Sequence, residues 1–214
     1  KYFNGHDYKA MNLEYQNLFW TSETLKKGFY FGADDLGRDL FTRIWQGGRI
    51  SLLIALVSVI LEGTIGVLYG GVAGYFGGAV DTLMMRSIEI ISGVPELIYI
   101  ILLTVLIGQG IFPIIISLAI SRWMIMAMIV RSEVMRIKEQ EYVIASKALG
   151  ASSWRIILKH LIPNAMGQII VRLTLAIPSA IFYEAFLSFI GIGIPVPQAS
   201  WGRMIVEGFR NLPI

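Results

Sequence analysis

The sequence has no cysteine and only two histidines, His6 and His160, among its 214 residues. Without cysteine the chain cannot form disulfides, cysteine-ligated zinc sites or iron–sulfur clusters, and it has no thiol nucleophile. Two histidines so distant in sequence also argue against a histidine-ligated metal, so no metal site is expected. A Gly-Lys dipeptide is absent as well, which excludes the phosphate-binding loop of a nucleotide hydrolase.

Charged residues are also scarce. They make up 15% of the chain, against about 25% in soluble proteins, whereas hydrophobic residues make up 55% and the mean hydropathy is +0.65. A free-standing soluble domain needs more surface charge, and intrinsic disorder needs lower hydrophobicity. The net charge of +3 is too small to indicate a nucleic-acid partner, so none is expected.

Four long apolar runs fill most of the chain, and each is long enough to cross a membrane. They cover residues 51–76, 88–107, 111–130 and 165–194. Because backbone groups in lipid must be satisfied internally, and these runs are too long for barrel strands, the sequence predicts an all-α, polytopic membrane helix bundle. A polar break at 77–87 and a glycine turn at 108–110 separate spans, and Pro95 and Pro178 are expected to bend them.

Glycines recur every four residues along the end of the first run. Gly66, Gly70, Gly74 and Gly78 would lie on one face of a continuous helix. Small residues at this spacing let a second helix approach closely in a membrane. The pattern therefore predicts a helix-packing face.

Residues 1–50 are the most polar segment and are rich in aromatic residues. The aromatic residues include Tyr2, Phe3, Trp20, Phe29, Tyr30, Phe31, Phe41 and Trp45. Residues 39–49 suggest a short amphipathic helix at the membrane surface. Its expected apolar side carries Leu40, Phe41, Ile44 and Trp45, while Arg38, Thr42, Arg43 and Gln46 lie elsewhere.

Residues 131–163 form a basic loop that we expect to contain two short helices. The first covers 141–149 and stops at Gly150; the second covers 153–162, is capped by Ser152 or Ser153, and ends at Pro163. With alternating spans, this loop and 77–87 share a side and carry seven Lys and Arg, against five near the opposite span ends. The bias favours a cytoplasmic loop, with 1–50 and 195–214 extracytoplasmic.

Several charged side chains lie inside the apolar runs, where a lipid-facing charge is costly. Glu62, Glu96, Arg122 and Glu184 are candidates for a polar translocation path, with interhelical pairing as the alternative. For Arg172 and Glu89, which lie near span ends, pairing or reaching to the interface is the favoured interpretation.

Three motifs resemble one family. The stretch EYVIASKALGASSWRIILKHLIPNA (141–165) is similar to the cytoplasmic signature loop of bacterial ABC importer permeases, matching it at Ala145, Gly150 and Pro163. It departs from the pattern at Ile144, Ser146, His160 and Ile162, where the family has Glu, Ala, Ile and Leu. Residues 31–52 (FGADDLGRDLFTRIWQGGRISL) and 184–195 (EAFLSFIGIGIP), followed by SWGRMI at 200–205, resemble the dipeptide, oligopeptide and nickel branch of that family.

The resemblance implies a multi-pass permease of the bacterial cytoplasmic membrane with no catalytic residues. That family has six spans, so one further span is expected before residue 1 and one after residue 214. By this resemblance the loop docks on a separate ATPase. The implied docking residues are Glu141, Ala145, Ser146, Ala148, Gly150, Arg155 and Pro163. Two ATPases would bind ATP and Mg²⁺, and a second homologous permease chain, a solute-binding protein and membrane lipid complete the implied partners.

The cargo is expected to be peptides, with nickel or another small solute as the alternative. A channel or proton-coupled carrier would explain charges within broken helices but gives no reason for the spacing of Ala145, Gly150 and Pro163. An intramembrane hydrolase would need a nucleophile and base or a metal within the spans, and the sequence supplies neither. A purely structural membrane subunit is the fourth alternative.

Overall fold

The computed structural model describes residues 5–18 and 21–210. Its secondary structure is helical, and the only β-type pairing among these residues is an isolated bridge between Ala33 and Asp39. The helices are α1 (Ser22–Lys26), α2 (Leu40–Phe76), α3 (Gly78–Ser92), α4 (Glu96–Ile107), α5 (Ile111–Ile137), α6 (Glu141–Ala148), α7 (Ser153–Ile156), α8 (Ile162–Phe189) and α9 (Trp201–Arg210). The predicted all-α fold is confirmed.

Three helices are long and apolar enough to cross a membrane: Leu40–Phe76, Ile111–Ile137 and Ser153–Phe189. A fourth span exists if α3 and α4 are counted together, because the two pass the same test as a pair bent by 68°. The bend lies at Gly93–Pro95, as the proline predicts, since its ring removes a backbone donor. Four spans counted in this way agree with the four apolar runs.

The first span differs from its prediction, because residues 39–49 do not form a separate helix. Asp39 caps α2, its carboxylate accepting the Thr42 amide at 2.9 Å, and the helix then continues unbroken to Phe76. Arg43 is buried and Trp45 is 62% exposed, so the polar side faces the protein and the apolar side faces outward. An outward apolar face is favourable where the surroundings are lipid.

An aromatic cluster surrounds the start of α2. The Phe41 ring makes edge contacts with Tyr30, Phe31 and Trp45 at centroid distances of 5.1, 5.5 and 6.4 Å. Aromatic side chains grouped at the start of a spanning helix are typical of a membrane–water interface. The other aromatic residues singled out, Tyr2, Phe3 and Trp20, lie outside the described residues, as do the last four residues of the 195–214 tail.

The glycine face of α2 packs against α5. A Cβ added at Gly66 would lie 2.7 Å from the Trp123 carbonyl oxygen, and one added at Gly74 would lie 2.7 Å from the Arg131 carbonyl oxygen. At Gly70 the added atom would overlap the Ala127 carbonyl oxygen. The helices therefore touch backbone to backbone, which confirms the predicted close approach.

Gly78 does not belong to that face. Helix α2 ends at Phe76, and Gly77 turns the chain with a φ of +63. Gly78 is the first residue of α3, and a Cβ added to it would have no atom within 4 Å. The predicted polar break at 77–87 is likewise wrong beyond its first residue, because Gly78–Ser92 is helical. Aspartate early in a helix is favoured by the helix dipole, and Asp81 lies in the first turn of α3.

The second helix of the basic loop continues into the last span. The chain runs from α7 through one π-helical turn, Ile157–Leu161, directly into α8. Pro163 therefore does not end the helix, contrary to the prediction. The Ile162 amide reaches back five residues to the Ile157 carbonyl, and this wider turn carries the helix past the proline, which has no amide to donate.

Three apolar clusters hold the described part of the bundle together, the smallest being Ile88, Met124 and Ala127. The first joins α5, α6, α7 and α8 through buried side chains that include Val134, Val143 and Leu161. The second joins α2, α4, α5 and α8 through Ile54, Leu118 and similar residues. Many large apolar side chains remain outside, among them Ile90, Val105, Leu106, Phe112 and Phe182. Such exposure is expected of a surface that faces lipid.

Candidate functional site

Helix α6 projects from the bundle between α5 and α7 and is held by one face. Its Val143 side chain is buried in the first apolar cluster, whereas Tyr142 and Ile144 are exposed. Leu149, just beyond the helix end, is 89% exposed. Exposed apolar side chains on a short helix that is anchored from beneath are typical of a protein-binding surface.

A glycine turn connects α6 to α7. Gly150 has φ +81, its amide donates to the Lys147 carbonyl at 3.0 Å, and the Ala151 amide donates to the Ser146 carbonyl at 3.1 Å. These two bonds form a Schellman motif, which favours glycine at the left-handed position. Ser152 then caps α7 by accepting the Arg155 amide at 3.4 Å. The predicted helix, glycine stop and cap are all confirmed.

The two arms of this hairpin enclose a concavity of about 550 Å³. It is lined by Tyr142, Ala145, Ser146, Leu149, Gly150, Ala151, Arg155 and His160. Across it the Ser146 hydroxyl and His160 Nε2 lie 3.4 Å apart, which ties α6 to the π-helical turn. Small residues on one wall leave room for an inserted partner side chain.

Four predicted docking residues line this concavity: Ala145, Ser146, Gly150 and Arg155. The other three, Glu141, Ala148 and Pro163, lie outside its wall. Sequence reasoning missed Tyr142 and His160 as lining residues; His160 was visible only as a departure from the family pattern. Docking remains a prediction for all of these residues.

The charged side chains inside the spans are paired across helices. Glu62 of α2 is 1% exposed and lies 3.0 Å from the Arg172 guanidinium of α8. Glu96 of α4 lies 3.3 Å from Arg122 of α5. Pairing compensates part of the cost of placing charge in lipid. Arg172 is thus paired, as favoured from sequence, and a role of the two glutamates in a translocation path stays a prediction.

Glu184 is completely buried and contacts three hydroxyl groups. Its carboxylate accepts from Ser188 at 2.9 Å, Ser200 at 2.7 Å and Ser51 at 3.3 Å. Ser51 lies on α2 and Ser200 precedes α9, so this carboxylate joins three separated parts of the chain. A role for Glu184 in the translocation path stays a prediction.

A buried charge cluster was missed by the sequence reasoning. Arg43 Nη2 donates to Glu207 at 2.6 Å and its Nη1 lies 3.2 Å from Asp34, while Arg38 contacts Asp34 at 2.8 Å and Glu207 at 3.2 Å. The cluster joins the segment before α2, the start of α2 and α9. Asp34 and Arg38 fall in the quoted FGADDLGRDL stretch, which was the available signal.

Arg131 was assigned to the basic loop, but the structure places it in α5, where its guanidinium pairs with Asp81 of α3. Lys138 donates to the Gly74 carbonyl at 2.8 Å at the end of α2. Both cations therefore hold helix ends together. The basic side chains left near the concavity are Lys147, Arg155 and Lys159.

Comparison with known proteins identifies the family. A sequence model described as "Binding-protein-dependent transport system inner membrane component" matches residues 66–209. The chain is 49% identical to the dipeptide transport system permease protein DppC of Bacillus subtilis (strain 168), over 99% of the chain and 64% of that protein. It is 47% identical to the oligopeptide permease OppC of the same organism, over 98% of the chain and 67% of that protein.

A third relative, DppC of Lactococcus lactis subsp. cremoris (strain MG1363), is 43% identical over 99% of the chain and 62% of its own length. The chain thus spans about two thirds of the length of these relatives. Among solved structures, inward-facing crystal forms of the MetNI methionine ABC transporter superpose with TM-scores of 0.62 and 0.63. They cover 78% and 80% of this chain, and 80% and 88% of their own, at 17% and 18% identity, which shows a shared fold.

The model match covers more than half of the chain, and the resemblance inferred from the three motifs is confirmed. This chain belongs to the family of binding-protein-dependent transport system inner membrane components.

Proposed function

We propose that this chain is the permease subunit of an ATP-driven importer that carries peptides across the bacterial cell membrane. Two dipeptide permeases and an oligopeptide permease are among the relatives that match nearly its whole length. The subunit itself performs no chemistry. ATP and Mg²⁺ are bound by two separate ATPase subunits, a second homologous permease completes the path, and an extracytoplasmic solute-binding protein delivers the peptide.

The observation that carries this proposal is the exposed α6–α7 hairpin with its concavity. The hairpin exposes the apolar side chains of Tyr142, Ile144 and Leu149. The small residues Ala145 and Gly150 in the wall of the concavity leave its space unfilled. A protruding partner side chain fits such a surface, and Arg155 in its wall carries the charge that steers an acidic partner. The ATPase is that partner in our proposal.

The hairpin is also built to transmit force. Helix α6 is fixed to the bundle through Val143 and through the contact of Ser146 with His160. His160 lies within the continuous helical segment Ser153–Phe189, which is about 55 Å long at 1.5 Å per residue. A displacement of α6 by a closing ATPase dimer would therefore tilt a whole spanning helix, which is the rigid-body motion that alternating access needs.

The substitution Ala145→Trp tests the docking. Ala145 is exposed and lies outside the apolar clusters, so the bulky ring fills the concavity without disturbing the core. We expect the permease to be made and inserted normally, but the amount of ATPase that co-purifies with it and peptide uptake should both fall at least tenfold. Co-purification from membranes and uptake of a labelled dipeptide in cells measure the two effects.

Lys147→Ala is the matched control, because Lys147 is on the same helix, is exposed and lies outside the concavity wall. It should keep ATPase binding within about twofold. Wild-type uptake that continues without the ATPases would contradict the proposal in favour of a channel or carrier. Uptake of nickel but not peptide would assign the alternative cargo.

A further inference from the structure

The break between α3 and α4 creates a polar site at mid-span. Glu96 begins α4 immediately after Pro95, and its Oε1 accepts from Ser121 at 2.9 Å and lies 3.3 Å from Arg122 Nε. Arg122 is near the middle of the spanning helix Ile111–Ile137. Broken helices with charged groups near the membrane centre are the places where transporters bind polar substrates.

A third helix contributes to the same site. Arg122 Nη1 donates to Ser179 of α8 at 2.9 Å, and the guanidinium carbon lies 5.2 Å from the centre of the Tyr183 ring. Within the described part of the chain the buried Tyr183 hydroxyl has no hydrogen-bond partner, while the contacts of Glu96 use Oε1 and those of Arg122 use Nε and Nη1. Buried polar groups normally find partners, so a buried hydroxyl left without one beside a partly exposed ion pair indicates a ligand.

Accessibility separates this ion pair from the other intramembrane carboxylates. The side chains of Glu96 and Arg122 are 29% and 13% exposed, whereas Glu62 and Glu184 are 1% and 0% exposed. Arg172, Ser179 and Tyr183 also fall on one face of α8, along about 16 Å of helix. A charged pair that is partly exposed and lies beside a row of polar side chains is expected to face a water-filled path and not lipid.

Resting on the proposed function, we propose that Glu96 and Arg122 bind the two charged ends of a short zwitterionic peptide in transit. Arg122 takes the α-carboxylate and Glu96 takes the α-ammonium group, and the Glu96–Arg122 contact opens as they do so. The planar guanidinium matches a carboxylate through two parallel hydrogen bonds. Arg122 Nη2, which makes no contact with Glu96, supplies one of these two hydrogen bonds.

Charge balance makes a zwitterion the suitable ligand. The side chains of the site supply one positive and one negative group, and a zwitterion adds one of each, so the complex stays neutral. A divalent cation would meet Arg122 and an anion would meet Glu96, each leaving charge uncompensated in a poorly solvated place. The site therefore selects for free peptide termini, independently of the side chains between them.

The test compares peptides that differ at one terminus in the complete transporter, reconstituted in proteoliposomes with its solute-binding protein. Dialanine and dialanine amide are used, each at a concentration that saturates the binding protein. Arg122→Gln should lower dialanine uptake at least tenfold while changing uptake of the amide less than twofold. Because the binding protein is the same throughout, the change in the ratio reports on the permease alone.

Glu96→Gln supplies the mirror experiment: it should lower dialanine uptake at least tenfold but leave uptake of N-acetyl-dialanine within twofold. It also keeps the proposal falsifiable if Arg122→Gln fails to assemble, which co-purification of the ATPases reports. Arg86→Gln is the matched control, since Arg86 forms an exposed ion pair with Glu89 and should change nothing.

The outcomes separate the two proposals. Parallel losses for both peptides in each variant, or no loss at all, would show that the pair is only structural and would overturn this inference while leaving the importer intact. Wild-type transporter that takes up none of the peptides would overturn the proposed function, and the inference with it.

Discussion

Gly70→Ala should sharply reduce the amount of folded protein recovered from membranes. At Gly70 the backbones of α2 and α5 touch, and the added methyl group would overlap the Ala127 carbonyl oxygen and lie 2.9 Å from the Arg131 amide nitrogen. Neither neighbour is a side chain that can rotate away, so the two helices must separate. Overpacking costs about 1–3 kcal/mol when side chains can adjust, and we expect the upper end of that range or more here.

Separation of α2 from α5 would also weaken the contacts one turn away on either side, because Gly66 and Gly74 pack against the same helix. Recovery of monodisperse protein after detergent extraction, and its thermal unfolding, measure the effect. Gly167→Ala is the matched control: Gly167 is also in a spanning helix, but an added Cβ has nothing within 4 Å. It should be neutral or slightly stabilising, since alanine favours helix. Equal recovery of the two variants would contradict the backbone-contact interpretation.

Features set by spacing along one helix could be predicted from the sequence. The four-residue glycine repeat gave the α2–α5 contact correctly for Gly66, Gly70 and Gly74 and failed at Gly78, where the repeat continues after the helix has ended. Pro95 was correctly expected to bend its span. Pro163 was not a stop, because a π-helical turn just before it lets the helix continue, and spacing alone does not reveal such a turn.

Features set by contacts between distant residues could not be predicted in this way. The burial of Arg38 and Arg43 was not predicted, because it depends on their ion pairs with Asp34 and Glu207. Glu207 is 164 residues from Arg43 and lies on a different helix. The α6–α7 hairpin was predictable because its helices, glycine turn and cap are set by residues close together in sequence. The position of His160 in the wall of the concavity depends instead on how the two arms of the hairpin pack against each other.

Arg43→Ala should detach the segment before α2 from the bundle. Arg43 is fully buried and contacts both Glu207 and Asp34, so its loss leaves Asp34 and Glu207 with only Arg38 and the partly exposed Arg203 to compensate their charge. Removing one partner of a buried ion pair costs about 3–5 kcal/mol. Thermal unfolding should shift to lower temperature, and limited proteolysis should cut within residues 21–38.

Arg86→Ala is the control for charge removal as such. Arg86 and Glu89 are 71% and 60% exposed, and pairs of this kind contribute about 0–1 kcal/mol, so this variant should unfold like the wild type. If Arg43→Ala were no more sensitive to heat or protease than Arg86→Ala, the buried cluster would not hold the segment in place.

The double variant Arg43→Met/Glu207→Met distinguishes the cost of an unpaired charge from the value of the pair itself. Replacing both members of a buried ion pair by apolar side chains of similar size is often neutral or stabilising, because neither charge then has to be desolvated. Arg38 keeps Asp34, 2.8 Å away in this structure, as a partner, and Arg203, which loses Glu207, is 21% exposed. We therefore expect the double variant to unfold at a higher temperature than either single variant. A double variant no more stable than the singles would instead show that the ion pair itself stabilises the joint between α2 and α9, whereas strict additivity would show that the two residues act independently.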